Sequence, residues 1–293
     1  MSAPFPWKVA LNPAIYTAAV IPVLVGTAVS WYEIAQIDIL RFMLCFIGLI
    51  LVQIWINFTN DVFDAQTGVD RNKADSLVNL TGSTSLVFWL GTIALGLGYL
   101  CFVGINSFFP SYELLIMGTI GIFLGYSYQG PPFRLAYRGW GELVSFICFG
   151  PIAVLVADYS QRGNWSLTAF KASLIVGSFT SLILYTHHFP QVEDDRTFGK
   201  RTPIVRWGTL RAARRIIFLV AIPYLLSVWF GLQGDFPRWT GLVFFTFPLT
   251  VQLIQHVNDF HDQPHEVAKA LPLAVRIHFL SGILLALGFV LPA

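Results

Sequence analysis

Residues 37–70 read IDILRFMLCFIGLILVQIWINFTNDVFDAQTGVD, an apolar run that ends in a cluster of carboxylates and carboxamides. The apolar part alone is close to the roughly 20 residues that cross a bilayer as a helix. Asp61 and Asp64 are three residues apart and share one helix face, which Asn57 and Gln53 continue at spacings of four. Because charged side chains are unfavourable against lipid, the pattern indicates a divalent-metal site at a membrane surface.

The composition predicts a polytopic helical membrane protein. Hydrophobic residues make up 55% of the 293, charged residues make up 12%, and the mean hydropathy is +0.66. These values exclude an ordinary soluble domain. We therefore expect an all-α integral membrane protein, a single domain over residues 1–293 with a nine-helix transmembrane bundle. The predicted spans are Val9 to Trp31, Ile37 to Thr59, Thr84 to Ile105, Tyr112 to Tyr128, Trp140 to Ala157, Leu167 to Phe189, Arg211 to Phe230, Trp239 to Val257 and Leu271 to Leu291.

Basic residues are distributed unevenly between the two sides of this predicted bundle. Fourteen of the eighteen fall on the side of the amino terminus, and four fall on the other, namely Arg41, Arg162, Lys171 and Arg238. Because positive charge collects on the cytoplasmic side of a membrane, we expect the amino terminus to be cytoplasmic. Most acidic residues lie on that same side, which is therefore the face expected to carry the chemistry.

Two polar loops on that side, residues 60–83 and 190–209, share one organisation, in which clustered carboxylates precede basic residues. Clustered carboxylates repel one another unless a cation lies between them, and their oxygens suit Mg²⁺, which also takes phosphate oxygens. Neighbouring arginine and lysine suit the remaining phosphate charge. The first loop contains Asp61, Asp64, Asp70, Arg71 and Lys73, and the second contains Glu193, Asp194, Asp195, Arg196, Lys200 and Arg201.

The motifs in these loops resemble those of the UbiA-type intramembrane prenyltransferases, and the resemblance covers nearly the whole chain. They are Asn60-Asp61-x-x-Asp64 followed by Asp70, and Glu193-x-Asp195-x-x-x-Gly199-Lys200-Arg201-Thr202. Further stretches are similar to the branch of that family that prenylates 1,4-dihydroxy-2-naphthoate in menaquinone and phylloquinone synthesis. These stretches are Gly68-Val-Asp70, Tyr128-x-Gly-Pro-Pro with Gly139-x-Gly141-Glu142, and Gly199-Lys200-Arg201-Thr202.

One segment departs from the commoner family pattern, which has an Asn pair and an Arg-Asp where this chain has His187-His188-Phe189-Pro190-Gln191. Gln191 thus stands in place of the first aspartate of the second acidic motif, and a carboxamide offers an oxygen without a negative charge. The variant is associated with the phytyl-transferring branch of oxygenic phototrophs. His187 and His188 suit a structural role and a contact with the aromatic substrate equally well.

The resemblance implies a central cavity that the two polar loops cap and that opens sideways to the bilayer. There a prenyl group, expected to be phytyl, passes from its diphosphate to the naphthoate acceptor with loss of CO₂, and two Mg²⁺ ions are the cofactor. The implied catalytic residues are Asp61, Asp64, Asp70 and Asp195, and the implied metal ligands are Asp61, Asp64, Asp70, Glu193, Asp194 and Asp195. The implied substrate contacts are Gln53, Asn57, Asn60, Arg71, Lys73, Tyr128, Arg134, Arg138, Gln191, Lys200 and Arg201.

The expected partners are therefore a prenyl diphosphate, the naphthoate acceptor and the bilayer of a plasma or thylakoid membrane, with no nucleic acid. Other functions remain open from the sequence. Homogentisate or chlorophyllide would suit the same metal site as acceptors, and an ion-coupled transporter also places acidic residues within a membrane. Transporter sites lie near the bilayer midplane, whereas these carboxylates lie at one interface beside Arg and Lys. The pattern therefore favours a phosphorylated lipid over a transported cation.

Overall fold

The computed structural model describes residues 13–69, 76–109 and 112–292. The regular structure in these ranges is helical throughout, which confirms the predicted all-α class. The long helices of the bundle are α1 (Thr17–Ile34), α2 (Ile39–Thr67), α3 (Thr84–Asn106), α4 (Glu113–Gln129), α5 (Gly141–Arg162), α6 (Leu167–His187), α7 (Thr209–Leu232), α8 (Arg238–Phe260) and α9 (Ala270–Val290).

The structure differs from the nine predicted spans in α4. Over the described ranges, eight helices are long and apolar enough by themselves to cross a membrane, α9 being counted with the short turn before it. α4 has 17 residues, which is the lower end of the roughly 17–25 that suffice. The loop after α4 nevertheless returns to the end of α2, where the Tyr137 hydroxyl lies 2.6 Å from the Thr67 hydroxyl. Because α3 runs antiparallel to α2, α4 has to traverse the bundle to make this contact.

Glycines set the close packing of α2 against α3. A Cβ at Gly98 would lie 3.0 Å from the Gly48 carbonyl oxygen, and a Cβ at Gly91 would lie 3.0 Å from the Phe58 side chain. The pairing of 48 with 98 and of 58 with 91 makes the two helices antiparallel. Small residues of this kind let helix backbones approach in lipid, where van der Waals packing drives association.

The ends of α2 place its acidic residues beyond the apolar segment. Asp38 begins the helix by accepting a hydrogen bond from the Arg41 N–H at 2.9 Å. Gly68 ends it with a φ of 84°, a left-handed conformation that favours glycine. The Gly68 N–H donates to the Asp64 carbonyl oxygen at 2.9 Å. The helix therefore has 29 residues, and its last turns extend past the thickness of a bilayer core.

A wide turn interrupts α5 where it borders α6. Residues Cys148–Ile152 form a π-type turn that contains Pro151, which has no N–H to donate. On this turn, a Cβ at Gly150 would lie 2.6 Å from the Ser173 carbonyl oxygen of α6. The two helices thus pack backbone against backbone, and the turn directs Cys148 and Phe149 to the wall of a central cavity.

Charged side chains tie together the end of the bundle away from the polar loops. Asp158 is fully buried and accepts a hydrogen bond from the Ser30 hydroxyl at 2.7 Å. Arg162 forms an ion pair with Glu33, which also accepts from the Ser166 hydroxyl at 2.9 Å. These contacts join α1, α5 and the start of α6, so the two ends of the bundle are held by separate polar networks.

Candidate active site

A cavity of about 250 Å³ lies between α1, α2, α4, α5 and α6, at the end of the bundle where the polar loops meet. One part of its wall is polar and another part is apolar. The polar part consists of Gln53, Asn57, Asn60, Asp61, Asp64, Tyr128, Gln129, Ser145, Thr180, His187, His188, Gln191 and Lys200. The apolar part includes Ile15, Ile56, Val144, Phe149, Ile183 and Leu184.

α2 contributes polar side chains to the cavity from one face. Gln53, Asn57, Asp61 and Asp64 follow one another at spacings of four and three, and all line the cavity. The Gln53 Nε2 donates to Asn57 Oδ1 at 2.9 Å. Asp61 Oδ2 accepts from the Leu77 N–H at 2.7 Å, at the start of the short helix Leu77–Thr81. The short helix Leu77–Thr81 therefore begins against an α2 carboxylate.

Asp64 is buried, and its two oxygens have different partners. Oδ1 accepts from the Tyr137 hydroxyl at 3.0 Å, while Oδ2 accepts from Gln129 Nε2 at 2.7 Å and lies 3.5 Å from Lys200 Nζ. Burial and the charge of Asp64 raise the pKa of Tyr137 above its ordinary value. The phenol therefore stays protonated at neutral pH and remains a donor to the carboxylate.

Lys200 brings the end of α2 together with the segments that follow α4 and α6. Its ammonium lies 3.5 Å from Asp64 Oδ2 and 3.8 Å from Asp195 Oδ1, and 5.0 Å from the centre of the Tyr137 ring. The Lys200 N–H donates to the Asp195 carbonyl oxygen at 2.7 Å, and the Arg201 N–H donates to the Tyr137 carbonyl oxygen at 2.8 Å. One cation thus lies between a carboxylate of the first acidic motif and a carboxylate of the second.

The oxygen donors on the cavity wall fit a magnesium ion. Proteins commonly hold Mg²⁺ with one or two carboxylates, while substrate phosphates and water complete its shell. Asp61 and Asp64 supply carboxylates, and Asn60 and Gln191 supply carboxamide oxygens. Within residues 13–69, 76–109 and 112–292, no three His, Cys, Asp or Glu side chains are close enough to hold a metal on their own. A magnesium ion at this wall would therefore take its further ligands from carboxamide oxygens, substrate phosphate or water.

Other predicted site residues lie away from the cavity wall. Glu193 and Asp194 are exposed, and the Glu193 carboxylate pairs with Arg196 at 2.8 Å. Arg138 is exposed as well, and Asp195 is buried behind Lys200. The metal-ligand roles of Glu193, Asp194 and Asp195 stay predictions, as does the substrate contact of Arg138. The predicted residues that do not line the cavity are Arg134, Arg138, Glu193, Asp194, Asp195 and Arg201, and those outside the described residues are Asp70, Arg71 and Lys73.

Sequence reasoning gave Gln129, Tyr137 and Glu142 no role at the site, and it left the role of His188 open. Gln129 and Tyr137 bind Asp64, and His188 Nδ1 lies 3.1 Å from Glu142 Oε1 beside the cavity. A glutamine at the end of an otherwise apolar helix was the available signal for Gln129. Tyr137 offered no signal, because its place depends on how residues 130–140 fold back between α2 and α6.

A smaller apolar pocket adjoins the cavity deeper in the bundle. Its volume is about 40 Å³, and it shares Gln53, Cys148 and Phe149 with the cavity wall. Gly118 and Gly121 of α4 line it without side chains. An apolar pocket thus adjoins the polar end of the site between the helices, which suits a molecule with a charged head and a hydrocarbon tail.

Comparison with known proteins gives relatives along almost the whole chain. A 2-carboxy-1,4-naphthoquinone phytyltransferase of Synechocystis is 42% identical over 97% of this chain and 92% of its own length. The chloroplastic 2-carboxy-1,4-naphthoquinone phytyltransferase of Arabidopsis thaliana is 33% identical over 97% of this chain and 76% of its own length. A 1,4-dihydroxy-2-naphthoate octaprenyltransferase of Bacillus subtilis is 24% identical over 96% and 90%.

The fold has solved counterparts at low sequence identity. A UbiA homolog from Archaeoglobus fulgidus bound to GPP and Mg²⁺ superposes with a TM-score of 0.64 at 13% identity, over 96% of this chain and 99% of that one. The model of the UbiA prenyltransferase family matches residues 19–289. With that match and the two phytyltransferase relatives, the chain belongs to the UbiA prenyltransferase family.

Proposed function

We propose that this protein transfers a phytyl group from phytyl diphosphate to 1,4-dihydroxy-2-naphthoate, with loss of CO₂, in a step of phylloquinone synthesis. The observation that carries the proposal is the cavity itself. Two carboxylates, Asp61 and Asp64, and one ammonium, Lys200, line its polar end, and the wall beyond them is apolar. A diphosphate head with an isoprenoid tail matches both parts.

The polar end supports binding of the diphosphate with Mg²⁺. Asp61, Asp64 and Asp70 would hold one ion, and Asp195 with Glu193 or Asp194 would hold a second. When bound, the ions neutralise the negative charge that develops on the leaving diphosphate. Lys200 lies between the two acidic motifs and adds a positive charge already fixed in position, which favours a transition state in which charge moves onto the leaving group.

The apolar wall supports binding of the tail. Ile56, Phe149 and Ile183 line the cavity, and the pocket beside Gly118 and Gly121 extends it into the bundle. Such a lining also excludes water, which would otherwise capture the allylic cation and give an alcohol. Aromatic faces shelter a cation, and Tyr128 and Phe149 are the aromatic residues of the cavity wall that carry out this role in the proposal.

The reaction balances without an added proton or electron. The allylic C–O bond breaks and its electrons leave with diphosphate, while the ring carbon that bears the carboxylate forms the new C–C bond. Loss of CO₂ returns the electrons of the C–COO⁻ bond to the ring and restores its aromaticity. A carbocation needs an electron-rich partner, which favours the dihydroxy form of the acceptor over the quinone.

The phytyltransferases of Synechocystis and Arabidopsis support phytyl and a carboxylated naphthalene ring as the substrates. The octaprenyltransferase relative is less similar, at 24% identity. The excess of basic residues on the amino-terminal side supports a cytoplasmic position for the mouth of the cavity. A plasma or thylakoid membrane would supply both the lipid donor and the site of product use.

The test is product formation by the purified protein in detergent. The protein is incubated with Mg²⁺, 1,4-dihydroxy-2-naphthoate and, in parallel, phytyl and longer all-trans prenyl diphosphates, and products are identified by mass. A phytylated, decarboxylated naphthoquinol is expected. Product from the longer donors alone would replace phytyl by a longer prenyl group, and absence of product with every donor would overturn the acceptor assignment.

A further inference from the structure

A histidine and a glutamate next to the cavity form a pair to which the proposed donor site assigns no role. His188 follows the end of α6, is 6% exposed and lines the cavity, and its Nδ1 lies 3.1 Å from Glu142 Oε1. Glu142 lies in the first turn of α5, where its carbonyl oxygen accepts from the Ser181 hydroxyl of α6 at 2.8 Å. The pair is therefore held from two helices.

The partner of Nδ1 fixes the proton arrangement of the ring. A carboxylate can only accept hydrogen bonds, so Nδ1 carries the proton that it donates to Glu142. In the neutral ring Nε2 is then an acceptor. Because His188 lines the cavity, a neutral imidazole held there through Nδ1 by a carboxylate matches the arrangement of a general base.

The position of His188 in the cavity wall allows it to contact the acceptor. His188 shares the cavity with Asp61, Asp64 and Lys200, to which the diphosphate and Mg²⁺ are assigned. An acceptor ring that attacks the allylic carbon has to lie in that same cavity, beyond the diphosphate. Its hydroxyl beside the attacking carbon is the group whose proton a base can take.

We propose that His188 is a catalytic base that accepts a hydrogen bond and then the proton from the C1 hydroxyl of the naphthoate acceptor, and that Glu142 is the positioning residue that orients it. The inference rests on the proposed function. As the proton leaves the hydroxyl, its oxygen donates electron density into the ring and makes C2 more nucleophilic. A naphtholate attacks a cation faster than a naphthol does.

The proton balance closes within one turnover. The hydroxyl proton moves to His188 Nε2 as C2 bonds to the allylic carbon, which leaves a ketone at C1. When CO₂ departs, the electrons of the broken C–C bond form the C1 enolate, and the imidazolium returns its proton to that oxygen. The enzyme is regenerated, and no proton is taken from or given to solvent.

The test pairs a variant with a modified acceptor. His188→Asn removes the base, and the 1-O-methyl ether of the acceptor removes the proton. General bases contribute about 10²–10⁴-fold, so we expect the variant to lower kcat at least about 100-fold with the dihydroxy acceptor. Wild type should lose a similar factor with the methyl ether, and the variant should lose little more. Glu142→Gln should lower kcat by a smaller factor, with an unchanged KM for phytyl diphosphate.

Three controls keep the outcomes separate. His265→Asn removes an exposed imidazole that does not line the cavity, and it should leave kcat unchanged. Mg²⁺-dependent binding of phytyl diphosphate by His188→Asn and His188→Gln shows that the donor site is intact. Product formation by wild type with the dihydroxy acceptor tests the proposed function by itself, so failure there is distinct from failure of the base.

The proposal is overturned if His188→Asn keeps wild-type turnover, or if that variant still discriminates fully between the two acceptors. If neither His188 variant folds, the acceptor comparison in wild type decides. Full turnover of the methyl ether by wild type would overturn the base, because no proton is then available at C1. A purely structural pair would instead lower donor binding and turnover together.

Discussion

Replacement of Asp64 by asparagine isolates the charge at the polar end of the cavity. Asparagine has the same shape, and its carbonyl oxygen can accept from Gln129 while its NH₂ donates to the Tyr137 hydroxyl, which can turn towards the Thr67 hydroxyl 2.6 Å away. The local hydrogen bonds therefore survive the substitution. What disappears is one negative charge in a buried position.

The distance from Asp64 to Lys200 sets the scale of the electrostatic energy that this charge contributes. At the 3.5 Å between Asp64 Oδ2 and Lys200 Nζ, two unit charges attract by about 5 kcal/mol at an effective dielectric constant of about 20. Solvent and the second carboxylate, Asp195, offset part of such a term. If Asp64, as a ligand of Mg²⁺, contributes about half of that magnitude to the transition state, its loss corresponds to a fall in kcat of roughly 50-fold to 100-fold.

The assay is turnover of phytyl diphosphate and naphthoate, with product measured by mass at several Mg²⁺ concentrations. Asp235→Asn is the matched control, since Asp235 pairs with Lys171 at 2.6 Å near the far end of the bundle and should keep full activity. Thermal unfolding in detergent should show Asp64→Asn close to wild type. Turnover of the Asp64 variant within a few-fold of wild type would refute the assignment of its charge to catalysis.

Three further expectations use other parts of the structure. Tyr137→Phe removes a donor to Asp64 and should raise the Mg²⁺ concentration needed for half-maximal turnover about 10-fold. Folding raises the pKa of Tyr137, so the free energy of unfolding of wild type should fall as the pH rises above about 10. The free energy of unfolding of the variant should fall less, as measured by alkaline unfolding. Gly150→Ala should lower stability by about 1–3 kcal/mol through its contact with α6, whereas Gly96→Ala, with nothing within 4 Å, should be neutral in the same melting assay. Gly118→Val should reduce turnover of a C20 donor about 10-fold more than that of a C10 donor, because it narrows the apolar pocket.

The sequence was enough to predict the membrane class and most of the helices. Apolar length identified the spans directly, and the cavity face of α2 followed from the spacing of Asp61, Asp64 and Asn57 on one helix. α4 is the shortest of these helices, and its 17 residues are near the minimum for a span. The contact between Tyr137 and Thr67 shows that α4 traverses the bundle and returns the chain to the end of α2.

The site was harder to predict where it depends on loops. Basic and acidic residues of the second loop are adjacent in sequence, yet Lys200 lines the cavity while Glu193 is exposed. The short helix Val192–Thr197 buries Asp195 and exposes Glu193 and Asp194, and Lys200 follows it in the chain. Periodicity did not predict Gln129 or Tyr137 either, because their contact with Asp64 crosses between segments more than sixty residues apart.

The main-chain bond from the Arg201 N–H to the Tyr137 carbonyl oxygen couples the movements of two partners of Asp64, Tyr137 and Lys200. Tyr137 contributes its hydroxyl from one side of this bond, and Lys200 contributes its ammonium from the residue next to the other side. Neither segment can swing away from Asp64 without pulling on its neighbour or breaking the bond. Opening that preserves this bond therefore moves both groups together, and a diphosphate held there would then lose both neighbouring groups in one step rather than in succession.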